Sequence, residues 1–245
     1  MNEVLNDHVA LVTGASSGIG QAVTMALFRR GAKVVAAARR VERLNALVTE
    51  GPGEIVPVEM DVTDPESVDR AVAVARERFG RLDSLVNNAG LMLPGAILGA
   101  DRHEWRRMVE TNLLGSMYAV HAALPHLVES RGAVIQVSST SGRIASAGNG
   151  AYGATKFGIT AFTESLRQEV TARGVRVTLI EPGFVATELT SHITDPVMRA
   201  RASDIEQSLR PLTPDAIADV VVFALSQPDH VTLNEILVRP TDQVQ

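Results

Sequence analysis

The sequence predicts a doubly wound α/β domain: a mostly parallel sheet of seven strands with helices on both faces. Three observations carry this expectation. Short β-rich apolar runs alternate with longer amphipathic stretches along the 245 residues. The short runs are nearly continuous in apolar residues instead of alternating, as strands covered on both faces require. A glycine-rich turn stands at the first strand-to-helix junction, where such folds receive anions.

The strands are expected at Val9–Val12, Lys33–Ala38, Glu54–Glu59, Ser84–Asn87, Ala133–Ser138, Arg176–Ile180 and Glu235–Val238. The helices between them are expected at Ile19–Arg30, Val41–Thr49, Pro65–Phe79, Asp101–Glu129, Ala151–Ala172 and Pro214–Leu225. Asp64 before Pro65 and Thr213 before Pro214 read as an N-cap followed by proline at the first helical position. Asp101 with Glu104 reads as a capping box. Gly183–Leu212 is the longest stretch without clear structure, and stretches of that length are usually lids or binding loops. With no low-complexity linker and no repeat beyond the strand–helix alternation, one domain over 1–245 is expected, with a substrate lid at about 184–212.

Composition narrows the function. The net charge is −5, against a general nucleic-acid binder, which would show a basic face. There is no cysteine, which excludes disulfides, thiolate catalysis and Cys-ligated metals. Six histidines show no ligand spacing, so no metal site is expected. Met1–Asp7 lack the basic start and apolar stretch of a signal peptide, and no apolar run reaches membrane-span length. A cytoplasmic protein with no membrane partner is expected.

The turn runs Gly14-Ala15-Ser16-Ser17-Gly18-Ile19-Gly20. Glycines let the backbone approach a pyrophosphate, and the following helix offers free N–H groups and the positive end of its dipole. The second strand ends Ala37-Ala38-Arg39-Arg40. An NAD site would carry an acid there for the ribose 2′-hydroxyl. Two guanidiniums instead suit a 2′-phosphate. NADP(H) is therefore expected, with Arg39 the main contact and Arg40 secondary.

Tyr152 and Lys156 stand at i and i+4 of an expected helix and share a face. A nearby ammonium would lower the tyrosine pKa and let it exchange a proton with an alkoxide or alcohol. Ser138 and Ser139 end the fifth strand, at the edge where such sheets bind ligands. A hydroxyl there can stabilise charge on a carbonyl oxygen.

These motifs resemble the short-chain dehydrogenases/reductases of the common cytosolic type, which adopt a Rossmann-like fold. The resemblance runs through Thr13-Gly14-(x)3-Gly18-Ile19-Gly20, Asp61-Val62, Asn87-Asn88-Ala89-Gly90, Asn112, Ser139, Tyr152-(x)3-Lys156 and Pro182-Gly183. It implies Tyr152 as general acid/base and Lys156 as the group that holds the nicotinamide ribose. It implies Ser139 as carbonyl-orienting and Asn112 as support for a water-linked proton path. Asp61 and Val62 would meet the adenine; Asn88, Ala89 and Gly90 would line the cofactor. Pro182, Gly183, Val185 and Thr187 would embrace the nicotinamide.

A mostly apolar substrate pocket is expected from Leu91, Met92, Leu93, Ser141, Arg143, Ala147, Phe184 and His192, with Arg143 either meeting a substrate carboxylate or solvated. Met198 and Ile205, at helical spacing in the lid, would cover the substrate or pack, and Trp105 would pack. The expected function is NADPH-dependent reduction of an aldehyde or ketone to an alcohol, in secondary metabolism. Two alternatives stand beside it: an isomerase or dehydratase on the same fold, and a non-catalytic NADP(H)-responsive regulator. The resemblance also implies a homo-oligomer, tetramer or dimer, formed through the helices at about Asn112–Glu129 and Ala151–Ala172.

Overall fold

Parallel pairing needs a crossover between successive strands, and here helices supply most of the crossovers. The computed structural model describes residues 5–244. Met1–Val4, the beginning of the stretch read as lacking a signal peptide, lie outside the described residues, as does Gln245. The strands are β1 (Val9–Thr13), β2 (Lys33–Ala38), β3 (Glu54–Glu59), β4 (Ser84–Asn87), β5 (Ala133–Val137), β6 (Arg176–Pro182) and β7 (Glu235–Val238). They form one sheet in the order β3-β2-β1-β4-β5-β6-β7. All six pairings are parallel. The winding reverses between β1 and β4, which opens a crevice at the carboxyl ends of the strands.

The helices are α1 (Gly18–Phe28), α2 (Val41–Asn45), α3 (Pro65–Phe79), α4 (Arg102–Met108), α5 (Gly115–Ser130), α6 (Gly150–Val170), α7 (Pro196–Ser208) and α8 (Pro214–Leu225). Side chains alternate across a strand, so the sheet feeds two cores. Val12, Val34 and Ala36 pack with Leu27 of α1 and Val221 of α8. Leu11, Val35 and Ala37 pack with Val72 of α3, Ala123 of α5 and Leu166 of α6.

Local chemistry explains the boundaries. Asp64 accepts from Glu66 N at 3.1 Å ahead of Pro65. Thr213 accepts from Ala216 N at 3.2 Å ahead of Pro214. Asp101 caps α4 through His103 N, but Glu104 accepts from Thr194 Oγ1 at 2.6 Å, so the carboxylate expected in a capping box goes to a distant loop. The helix expected over Asp101–Glu129 is not uniform. A π-helical turn over Val109–Leu114 separates α4 from α5. Gly115 follows it, where a Cβ would lie 2.9 Å from Val62.

The stretch Gly183–Leu212 contains a helix that the sequence reading missed. Asp195 accepts from Val197 N and Met198 N at 2.9 and 3.0 Å and starts α7 at Pro196. The excursion is pinched at its base. Val185 bridges Leu212; Ala186 N donates to Leu212 O at 2.9 Å and Leu212 N to Phe184 O at 3.0 Å. Among the described residues, no helix is long and apolar enough to cross a membrane. Nor does any group of three or more His, Asp or Glu side chains stand ready to hold a metal.

Candidate active site

A cavity of about 770 Å³ opens along the carboxyl ends of the strands. Its floor at one end is the glycine turn. Gly14 and Gly18 have φ of +67° and +53°, a region that costs other residues energy, and a Cβ on Gly14 would lie 2.9 Å from the Ala89 backbone. Gly20, unlike Gly14 and Gly18, does not line the cavity. A Cβ there would meet Gly14 O at 2.3 Å, so this glycine lets α1 seat on the turn. Ser17 is the N-cap of α1, yet its side chain makes no capping bond, and no acid stands in the first turn. The free N–H groups and dipole end at the cavity floor therefore suit an anion.

The two arginines are held differently. Arg40 donates from Nη2 to Ser16 Oγ at 3.2 Å and Ser17 Oγ at 2.9 Å. It also donates from Nη1 to Glu188 Oε2 at 3.0 Å. Arg39 lines the cavity, is exposed and has no hydrogen bond or ion pair to the described residues. The firmer seat thus belongs to Arg40, the one expected to be secondary.

The middle wall comes from β3, β4 and the turns after them. Thr13 Oγ1 accepts from Asn88 N at 2.9 Å and Ala89 N at 3.0 Å, and Asn88 Nδ2 returns a bond to Thr13 O at 3.0 Å. This clamps the Asn88–Gly90 segment to the glycine turn. Asp61 and Val62 line the cavity beyond it, with Asp61 Oδ1 held by Thr63 N and Oγ1 at 2.9 and 2.8 Å.

At the other end stand Ser139, Tyr152 and Lys156, all lining the cavity. Ser139 caps the 3-10 turn after β5 by accepting from Ser141 N at 3.1 Å. Lys156 is buried and donates from Nζ to Val137 O at 3.1 Å. Its Nζ stands 5.7 Å from the Tyr152 ring centre. Burial decides both titrations. It pushes Tyr152 up to about 12, against the effect of a hydrogen bond from Ser139. It pushes Lys156 down to about 8. The expectation that Lys156 lowers the tyrosine pKa is corrected: desolvation of the phenol outweighs an ammonium whose own charge is disfavoured by burial. Tyr152 keeps its proton throughout the neutral range.

Asn112, in the π-helical turn, is buried and does not line the cavity. Its Oδ1 accepts from Leu91 N at 2.7 Å, and its Nδ2 donates to Leu91 O at 2.8 Å and Thr155 Oγ1 at 3.1 Å. It ties the loop after β4 to α6. Pro182, Gly183, Val185 and Thr187 line the cavity where β6 ends.

Of the expected pocket residues, Leu91, Met92, Ser141, Ala147, Phe184 and His192 line the cavity. Leu93 and Arg143 do not, and both expectations are corrected. Leu93 is buried with Met108 and Tyr152, and Trp105 packs on that cluster. Arg143 is turned to Glu181 and Glu235, so it is neither a free loop charge nor a pocket cation. Met198 and Ile205 of α7 do line the cavity. The sequence reading passed over Thr111, Thr140, Asn149, Glu188 and Arg201, which also line it. Thr140 was findable from its place one residue beyond Ser139; Arg201 was hidden with α7.

A nucleotide with two phosphates bridging to a ring fits this donor set: bare helix amides, a glycine cradle and guanidiniums at one end, hydroxyl donors at the other. The fold and the site together define a dinucleotide-dependent oxidoreductase class. Residues 8–197 match the family model of the short chain dehydrogenases, and the chain belongs to that family. It is 36% identical over 247 residues to an uncharacterised oxidoreductase of Staphylococcus saprophyticus, covering 99% of each chain. It is 40% identical to one of Staphylococcus aureus, covering 97% of this chain and 99% of the relative. Among solved structures it superposes on an alcohol dehydrogenase from Thermococcus sibiricus complexed with 5-hydroxy-NADP. There the TM-score is 0.86 and the identity 30%, over 98% of this chain and 99% of that one. It also matches a closed form of serine dehydrogenase complexed with NADP+, with TM-score 0.88 and 33% identity, over 97% and 96% of the two chains. The chain is an oxidoreductase of the alcohol–carbonyl kind.

Proposed function

We propose that the protein is an NADPH-dependent reductase that converts an aldehyde or ketone to an alcohol. The observation that carries this reading is one continuous cavity joining Arg39, Arg40 and the bare start of α1 to Ser139, Tyr152 and Lys156. Nicotinamide-complexed neighbours of the same fold support it. When bound, the nicotinamide supplies the hydride. Everything else is the work of this chain. Ser139 Oγ and the Tyr152 hydroxyl hold the carbonyl oxygen between two donors. Tyr152, neutral at pH 7, gives its proton to that oxygen as negative charge develops. Lys156 Nζ holds the ribose and keeps a positive charge beside the phenol as the proton leaves. Asn112 fixes Leu91 and α6, and with them the separation of the cavity walls.

Residues 184–212 act as the substrate lid, with Met198 and Ile205 facing the substrate. The mostly apolar lining by Leu91, Met92, Ala147 and Phe184 suits a medium-sized, partly hydrophobic carbonyl compound. Thr111–Gly115, Ala154–Gly158 and Arg239–Gln243 resemble the clavulanate-forming aldehyde reductases (clavulanic acid dehydrogenases), so aldehydes of secondary metabolism come first in a substrate search. The active form is a cytoplasmic homo-oligomer, tetramer or dimer, assembled through α5 and α6, where Phe157 is exposed. Sedimentation at micromolar concentration checks the assembly; a monomer contradicts it.

The test of function is consumption of NADPH and of NADH at 340 nm across a panel of aldehydes and ketones. Turnover with NADPH preferred supports the reading. No turnover on the panel by protein that binds NADPH counts against it and favours a regulator.

A further inference from the structure

Glu188 stands in an unexpected place for an acid. It opens the 3-10 turn Glu188–His192, beside Arg40 after β2 and Arg43 of α2. Its carboxylate accepts from Arg43 Nη1 through both oxygens, at 2.7 and 2.9 Å, and from Arg40 Nη1 at 3.0 Å. Arg40 meanwhile reaches the Ser16 and Ser17 hydroxyls of the glycine turn. Three stretches distant in sequence thus meet beyond Ala38: Arg40, the Ser16 and Ser17 hydroxyls and Glu188 line the cavity, and Arg43, outside that lining, reaches it through Glu188.

That donor set is what a phosphate monoester takes. A phosphate carries more charge than a carboxylate at pH 7 and offers three acceptor oxygens to guanidinium forks. The ion pairs that hold Glu188 are solvent-exposed, so they are screened and exchangeable. A second anion cannot share the same guanidinium faces with Glu188 without like-charge repulsion.

We propose that Glu188 is a built-in occupant of the 2′-phosphate site, that the phosphate displaces it from Arg40 and Arg43, and that Arg43 is a further specificity-determining residue for NADP(H). This rests on the NADP(H) reading above and adds Arg43 and Glu188 to it. Glu188 lowers affinity because part of the protein holds its own anion in the site. Displacement also frees the Glu188–His192 turn, which leads through the buried Ile193 into α7. Filling the phosphate site is thereby coupled to the lid.

Calorimetric titration with 2′,5′-ADP and with 5′-AMP, which lacks the second phosphate, tests this without turnover. Glu188→Gln should bind 2′,5′-ADP roughly three- to tenfold tighter than the parent, with 5′-AMP unaffected. Glu188→Ala should do the same, which guards against a glutamine that keeps the arginine contacts. Arg43→Gln should weaken 2′,5′-ADP about tenfold and leave 5′-AMP alone. Unchanged or weaker 2′,5′-ADP binding in both Glu188 variants overturns the displacement, and an unaffected Arg43→Gln removes Arg43 from the site. Equal binding of the two nucleotides by the parent protein overturns the NADP(H) reading itself, a separate failure.

Discussion

The two walls of the cavity are held by different forces. The wall from β1, β4, β5 and α6 is bonded through buried polar groups: Thr13 to Asn88, Asn112 to Leu91 and Thr155, Lys156 to Val137. The opposite wall, Phe184 to Leu212, buries little. Neither the Glu188–His192 turn nor α7 has a buried residue, and Ile193 between them is the exception. Its fastenings are the Val185–Leu212 bridge, exposed ion pairs and a few polar contacts such as Thr194 to Glu104 and Phe184 N to Gln243. A buried polar group that loses its partner costs about 1–3 kcal/mol; an exposed ion pair contributes about 0–1 kcal/mol. The first wall can hold reacting groups at fixed separation. The second can open, and can vary with substrate at little cost to the fold.

The largest effect should come from the fixed wall. Tyr152→Phe removes the proton donor and should lower kcat/KM on the order of 10²–10⁴-fold, while titration shows nucleotide binding nearly unchanged. Binding lost in step with turnover would mean that Tyr152 shapes the cofactor seat and does not handle the proton.

Lys156 separates chemistry from stability. Its folded pKa of about 8 lies below the ordinary lysine value. Between pH 8 and 10 the unfolded chain binds the extra proton, so the parent gains stability as pH rises through that window, and a Met variant should not. Lys156→Met should be more stable at pH 7 by on the order of 2 kcal/mol and nearly inactive; denaturant melts across pH measure the first. Reduction by the parent should decline as pH rises through about 8, because the ammonium beside the phenol is lost while Tyr152 keeps its proton.

Asn112→Ala strips Leu91 of both backbone partners and should cost about 1–3 kcal/mol of stability. On the other wall, Met198→Ala and Ile205→Ala should change stability within about 0.5 kcal/mol yet shift substrate KM. Equal destabilisation by the two sets would erase the contrast between the walls.

Much of this was legible in the sequence because strands buried on both faces leave continuous apolar runs, and because the site residues sit at strand ends. The exceptions have physical causes. The π-helical turn answers to Asn112 reaching Leu91, 21 residues away, and nothing local marks it. Helix α7 buries no residue, so it leaves no full apolar stripe; its signals were the helical spacing of Met198 and Ile205 and Asp195 before Pro196, the signature that was read at Asp64 and Thr213. Arg143 faces Glu181 and Glu235, 38 and 92 residues distant, a pairing only the folded sheet creates. Neighbours on one loop part ways: Met92 lines the cavity while Leu93 enters the core. The upward shift of Tyr152 went unread because i, i+4 spacing shows proximity to Lys156 but not the burial of both groups.

The central claim is hydride transfer to a carbonyl carbon, and label transfer tests it most directly. NADPH deuterated at the transferring position of the nicotinamide, incubated with the enzyme and its best aldehyde or ketone, should give an alcohol carrying one deuterium on the former carbonyl carbon by mass spectrometry. An alcohol free of label, or a rearranged or dehydrated product formed without net consumption of NADPH, would contradict the account.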